Sequence, residues 1–209
     1  TYALERISAL GVLAQILGHA GKKREAIEII DELKSRYGNS DNVIFKLFMQ
    51  FYICSSMALV GLKDDAIREC EKTYTMSREL KNTVLEIYSY FFIGIANASK
   101  GDYENAIKSA SKTINLGKEY NIKIGIYIVY FFLIEYYLII GNINTAKELY
   151  KESDDYLLNT YPDFVKHWKL KLQAEFELFS QVTHYNRAID FIDKSIEIGY
   201  SLGDTYIFY

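Results

Sequence analysis

The short run Gly101-Asp102-Tyr103-Glu104-Asn105-Ala106-Ile107 constrains this chain more than any other feature, because versions of it recur at a nearly fixed interval. Gly21 to Ile27, Gly61 to Ile67, Gly141 to Lys147 and, more worn, Thr183 to Ile189 carry the same pattern. The starts lie at 21, 61, 101, 141 and 183, which gives three intervals of 40 residues and one of 42. A constant period in this range marks stacked helical hairpins, each of which can bury its apolar face only against a neighbour. In such a hairpin the glycine ends the first, or A, helix and turns the chain. The alanine early in the second, or B, helix then admits a close crossing.

Apolar residues at spacings of three and four predict helices over 3–20, 22–36, 42–60, 63–79, 83–99, 103–119, 123–140, 143–158, 162–181 and 185–200. The first has Leu4, Ile7, Leu10, Leu13, Ala14 and Leu17 inward; the second has Ala26, Ile27, Ile29, Ile30 and Leu33 inward, with Lys23, Glu28, Asp31 and Lys34 outward. The only proline, Pro162, falls at the start of the ninth helix, where its missing N–H costs nothing. The repeats are therefore about 1–40, 41–80, 81–120, 121–160 and 161–202, and Thr205 to Tyr209 open a sixth. No linker or shift in composition marks a second domain, so residues 1–209 read as a single repeat domain cut from a longer protein.

Half of the 209 residues are hydrophobic, and 24 basic residues against 27 acidic leave a net charge of only -3. Bulk charge of this kind does not attract a polyanion, which argues against direct nucleic-acid binding. Cys54 and Cys70 lack metal-ligand spacing and the density of a secreted scaffold, and no signal peptide is visible. They read as reduced thiols in a cytoplasmic protein. The apolar stretch 124–140 is short for a membrane span and reads as a buried helix.

Gly94, the run Gly101 to Ile107 and the apolar end Thr113-Ile114-Asn115-Leu116 resemble the tetratricopeptide repeat (TPR) family. The likeness runs through the whole chain and is strongest in the third repeat. The common form is 34 residues long, so the forty-residue period is similar to the long-repeat branch found in signalling proteins, including activators of the maltose-regulon type. A HEAT or armadillo solenoid fits the length as well. The resemblance implies an all-α, right-handed superhelical solenoid of antiparallel helix pairs, five repeats plus the start of a sixth. It also implies protein binding, in a regulatory or sensor module of a larger signalling or transcription-regulator protein.

In that arrangement the A helices line the concave face, and the exposed positions lie thirteen, ten, nine and six residues before each marker. They include Phe48, Phe51 and Tyr52 in the second repeat, and Tyr88, Phe91 and Phe92 in the third. Ile128, Phe131, Phe132 and Glu135 follow in the fourth, and Gln173 and Glu177 in the fifth. None of the twenty positions is Lys, Arg or Asn, so the clamp by which chaperone-binding relatives grip a carboxylate is absent. Aromatic side chains bury much area at little entropic cost, so the face fits a protein or peptide partner, with the polar members fixing its register. Core packing and a homodimer with this face self-buried are the alternatives, and a small-ligand sensor is a third.

Catalytic chemistry finds no support. His19, His167 and His184 fall in different repeats without a partner at metal-ligand spacing and read as surface or turn residues. No phosphate loop, nucleophile elbow or Cys-His pair is present. A non-enzymatic protein without metal or cofactor is expected.

Overall fold

The structure, a computed structural model, describes residues 2–122, 125–157, 162–180 and 184–202. Among them are ten α-helices and no strand. The helices are α1 Tyr2–His19, α2 Lys23–Tyr37, α3 Val43–Leu59, α4 Lys63–Glu79 and α5 Thr83–Ser99. They continue with α6 Tyr103–Glu119, α7 Ile126–Ile139, α8 Ile143–Leu157, α9 Pro162–Leu178 and α10 Tyr185–Leu202. Every one of the ten helices expected from the periodicity is present, and α4, α5 and α6 keep the expected bounds. The sixth-repeat start at 205–209 lies outside the described residues.

The marker performs the two tasks its residues dictate. Gly21, Gly61, Gly101 and Gly141 have φ of 68, 74, 80 and 79°, the left-handed region in which a Cβ is strained. The next residue then donates its N–H to a carbonyl of the ending helix, Lys22 to Leu17, Leu62 to Met57, Asp102 to Asn97 and Asn142 to Tyr137, at 2.8–3.0 Å. This is the Schellman closure, which satisfies carbonyls the helix leaves open. Asn42, Asn82, Asp102 and Asn142 accept backbone N–H groups at the start of the following helices. The marker alanines Ala26, Ala66, Ala106 and Ala146 are fully buried.

The chain divides into two compact units, Thr1–Leu116 and Gly117–Tyr209. In the first, α3 packs against α1, α2, α4 and α5. The crossing of α5 on α6 is close at Gly94, where an added Cβ would lie 3.3 Å from the Ala106 carbonyl oxygen and from Ser109 Cβ. In the second unit α7 packs on α8 and α9, and α9 on α10. Its core joins Phe131, Ile134, Leu138, Ala146, Val165, Trp168 and Leu172.

Two expectations need correction. Cys54 and Cys70 are not free thiols: they form a disulfide between α3 and α4, with Cα atoms 4.8 Å apart. Cys54 stands forty residues from Ala14 and from Gly94, at the closest approach of the hairpin, so the small side chains that allow the crossing also bring the sulfurs within bonding reach. Leu13, expected inward, is 42% exposed together with Val12 and Ile16, because that side of α1 faces neither α2 nor α3. Among the described residues no helix is long and apolar enough to cross a membrane.

Candidate functional site

The candidate face is carried by the A helices, and each unit presents its own part. In the first unit Phe48, Phe51 and Tyr52 on α3 and Tyr88 on α5 are half-buried, while Phe91 and Phe92 retain 8% exposure each. The rings touch in series. Tyr52 and Phe51 have centroids 5.5 Å apart, Phe51 and Phe92 5.8 Å, and Phe92 and Phe91 5.2 Å, in edge-on or tilted geometries. Such arrangements set the positive edge of one ring against the negative face of the next.

The order of this tier follows from the repeat register. Tyr52 reaches back over α1, where Gly11 makes room: a Cβ there would lie 2.0 Å from Tyr52 Cγ. Forty residues on, Phe92 reaches back in the same way to Phe51, the counterpart of Gly11. Gln15 is taken up between the helices, where its amide donates to Ser55 Oγ at 2.7 Å.

The second unit is built differently, with a stacked aromatic core beneath an ionic layer. Phe131 is fully buried and stacks on Trp168, centroids 5.3 Å apart and planes 7° from parallel. It therefore supports the face from below. Phe132 is half-buried, 6.1 Å from Trp168, and Ile128 is half-buried on the same helix. Lys171 on α9 lies over the Trp168 ring at 5.1 Å and donates to Glu135 on α7. Its second carboxylate partner, Glu175, is 3.6 Å away. Glu177 meets Arg187 at 2.8 Å, and Gln173 hydrogen-bonds Tyr150.

Lys171 thus faces two carboxylates, Glu135 and Glu175, while Glu177 pairs separately with Arg187. Burial pushes the Glu175 carboxyl up to about 7, and the neighbouring Glu135 adds to this against the opposing pull of Lys171. Burial works against the Lys171 ammonium, yet Glu135 and Glu175 hold its pKa above the usual lysine value.

Glu135, Gln173 and Glu177 were countable from the marker, but Trp168, Lys171 and Glu175 were not. The marker interval widens to 42 in this repeat, and the α7–α9 contacts do not follow the forty-residue count. A signal was available in the i, i+4 spacing of Lys171 and Glu175.

His167, read from sequence as a surface residue, is 1% exposed between α9 and α10. Ser195 Oγ donates to the His167 backbone carbonyl at 2.9 Å and sits 2.9 Å from His167 Nδ1, so the pair ties the two helices together. Burial lowers the His19 pKa to about 4, which keeps that ring neutral near pH 7. Among the described residues no group of three or more His, Cys, Asp or Glu could hold a metal ion.

No protein-family model matches the sequence, and no curated protein matches it. Solved structures do. The chain is similar to aspartyl phosphate phosphatase F from Bacillus subtilis, at 18% identity and a TM-score of 0.70, over 95% of this chain and 50% of the other. It is similar to a Rap protein complexed with Competence and Sporulation Factor, at 17% identity and a TM-score of 0.66, over 96% of this chain and 65% of that one. A putative kinesin light chain of Podosopora anserina with nearly identical TPR-like repeats matches at 14% identity and a TM-score of 0.63, over 95% and 96%. The fold is therefore that of TPR-like helical repeats. The chain spans about half the length of the phosphatase it resembles.

Proposed function

We propose that this chain is a non-catalytic repeat module that binds a protein or peptide through the aromatic tier of its A helices. The carrying observation is the unbroken ring series Tyr52, Phe51, Phe92 and Phe91, in which Tyr52 and Phe51 stand half-open while Phe92 and Phe91 are buried, with Phe48 and Tyr88 half-buried on the same helices. An apolar helix or extended segment can lay its side chains against such rings, and aromatic anchors of this kind dominate interface energies. In the second unit Ile128 and Phe132 offer a smaller apolar area on the helix that carries Glu135, and Glu135 and Glu177, paired with Lys171 and Arg187, can share a basic residue of the partner. The likeness to a Rap protein bound to Competence and Sporulation Factor supports a partner-binding role on this fold. Membership of a larger signalling or transcription regulator, of the long-repeat kind that the sequence resembles, is part of the same reading.

A random twelve-residue peptide library displayed on phage tests the proposal. Selection on the native protein enriches peptides with spaced apolar residues, and the double variant Phe51→Ala/Tyr88→Ala weakens the selected peptides at least tenfold, while Ile189→Ala on α10 leaves them unchanged. Peptides that bind the double variant as well as the wild type, or no enrichment at all, refute the assignment.

A further inference from the structure

The outer side of α1 carries an apolar stripe that, Val12 apart, lies off the register of the binding face. Ala9, Val12, Leu13 and Ile16 lie on one side of the helix and are all exposed, Ile16 at 57%. Elsewhere in the unit the same register positions are covered. Forty residues on, in α3, they are Met49, Tyr52, Ile53 and Ser56; eighty residues on, in α5, they are Ser89, Phe92, Ile93 and Ala96. Each of these eight is buried or half-buried. The covering element is the A helix one repeat earlier: α1 covers α3, with Gly11 beneath Tyr52 and Gln15 on Ser55, and α3 covers α5, with Phe51 beside Phe92. Val12 is the register counterpart of Tyr52 and Phe92, the residue that reaches back.

From this continuity we infer that the outer face of α1 is a stacking surface whose occupant is one further antiparallel helix pair of the same forty-residue kind. The occupant sets a small or flat residue against Val12, as Gly11 does against Tyr52, and its B helix closes over Leu13 and Ile16. A surface of this composition needs such a cover, because an outermost repeat exposed to water requires a polar outer face. Here the flanking Glu5 and Arg6 are polar, and the stripe between them and the turn at Gly21 is not.

The test supplies the occupant in register. A second copy of residues 2–41, fused directly ahead of Tyr2, places its own Gly11 one repeat before Val12. Hydrogen exchange of the α1 amides should slow at least tenfold in the fusion, and Val12→Asp/Ile16→Asp should abolish that gain. The same pair of substitutions in the unfused chain should leave its helicity and melting temperature unchanged. A second fusion carrying residues 42–81 guards against a badly matched first one. If neither fusion slows exchange in α1, the inference fails. It fails equally if the unfused chain sediments as a dimer that Val12→Asp/Ile16→Asp separates, since the occupant is then a second copy of the chain.

Discussion

Replacing both cysteines by alanine should destabilise the first unit by an amount the structure fixes in advance. Cys54 and Cys70 are 16 residues apart in sequence, and closing a loop of this size removes unfolded-state entropy worth about 3 kcal/mol on the chain-entropy model. With a urea slope of about 2 kcal/mol per molar, the midpoint falls by roughly 1.5 M. Far-UV circular dichroism and amide exchange across α3 and α4 are the readouts, because the only tryptophan, Trp168, reports on the second unit. Both sulfurs belong to fully buried residues, so in native buffer a thiol reductant reaches them only when the hairpin opens. Reduction should therefore reach a plateau rate as reductant is raised, and the reduced wild type should melt with the double variant. An unchanged midpoint in a variant whose parent is shown by mass spectrometry to be cross-linked would refute the entropic account. Two free thiols in the freshly purified, non-reduced protein would refute the cross-link itself.

Three further outcomes follow from the geometry. Glu175 has its folded-state pKa raised to about 7 from an ordinary 4.5, so the folded state holds a proton that the unfolded chain has lost; urea stability should fall as pH rises from 5 to 8, and Glu175→Gln should flatten that slope. Phe131→Ala removes a fully buried ring stacked on Trp168 and should cost about 3–5 kcal/mol, with a shift in Trp168 emission, measured by urea titration of fluorescence. Gly101 has φ of 80° with no atom near a prospective Cβ, so Gly101→Ala should cost about 1 kcal/mol through backbone strain alone, read as a lower melting temperature with an unchanged spectrum.

How much was legible in the sequence depends on how local the governing physics is. The turn glycines, the buried alanines and the helix bounds answer to residues within one hairpin, and they were readable from the forty-residue period. Pro162 opening α9 belongs to the same class. The A helices α3, α5 and α7 are apolar on nearly every side, so periodicity could not say which aromatic residue is covered. That is decided by the neighbouring helix, which leaves Phe51 half-open, seals Phe131 against Trp168 and exposes Leu13. The ionic layer around Lys171 was hidden for a related reason, since it joins α7 to α9 across 36 residues off the marker count. Cysteine abundance was a poor guide to Cys54 and Cys70, because their place at one helix crossing, with Cα atoms 4.8 Å apart, decides their bonding.

The cross-link has a further consequence for how the protein reaches its fold. Within each unit, helices that pack together are neighbours or next-but-one along the chain, so assembly needs few long loop closures and can spread from any hairpin that forms first. Only the α3–α4 hairpin carries a covalent tie, and both of its ends are complete once residue 79 has been made. This hairpin can close on contacts of its own, before α5 packs on it. The α5 helix then meets a template already fixed in register, which makes the middle of the first unit the natural starting point of folding.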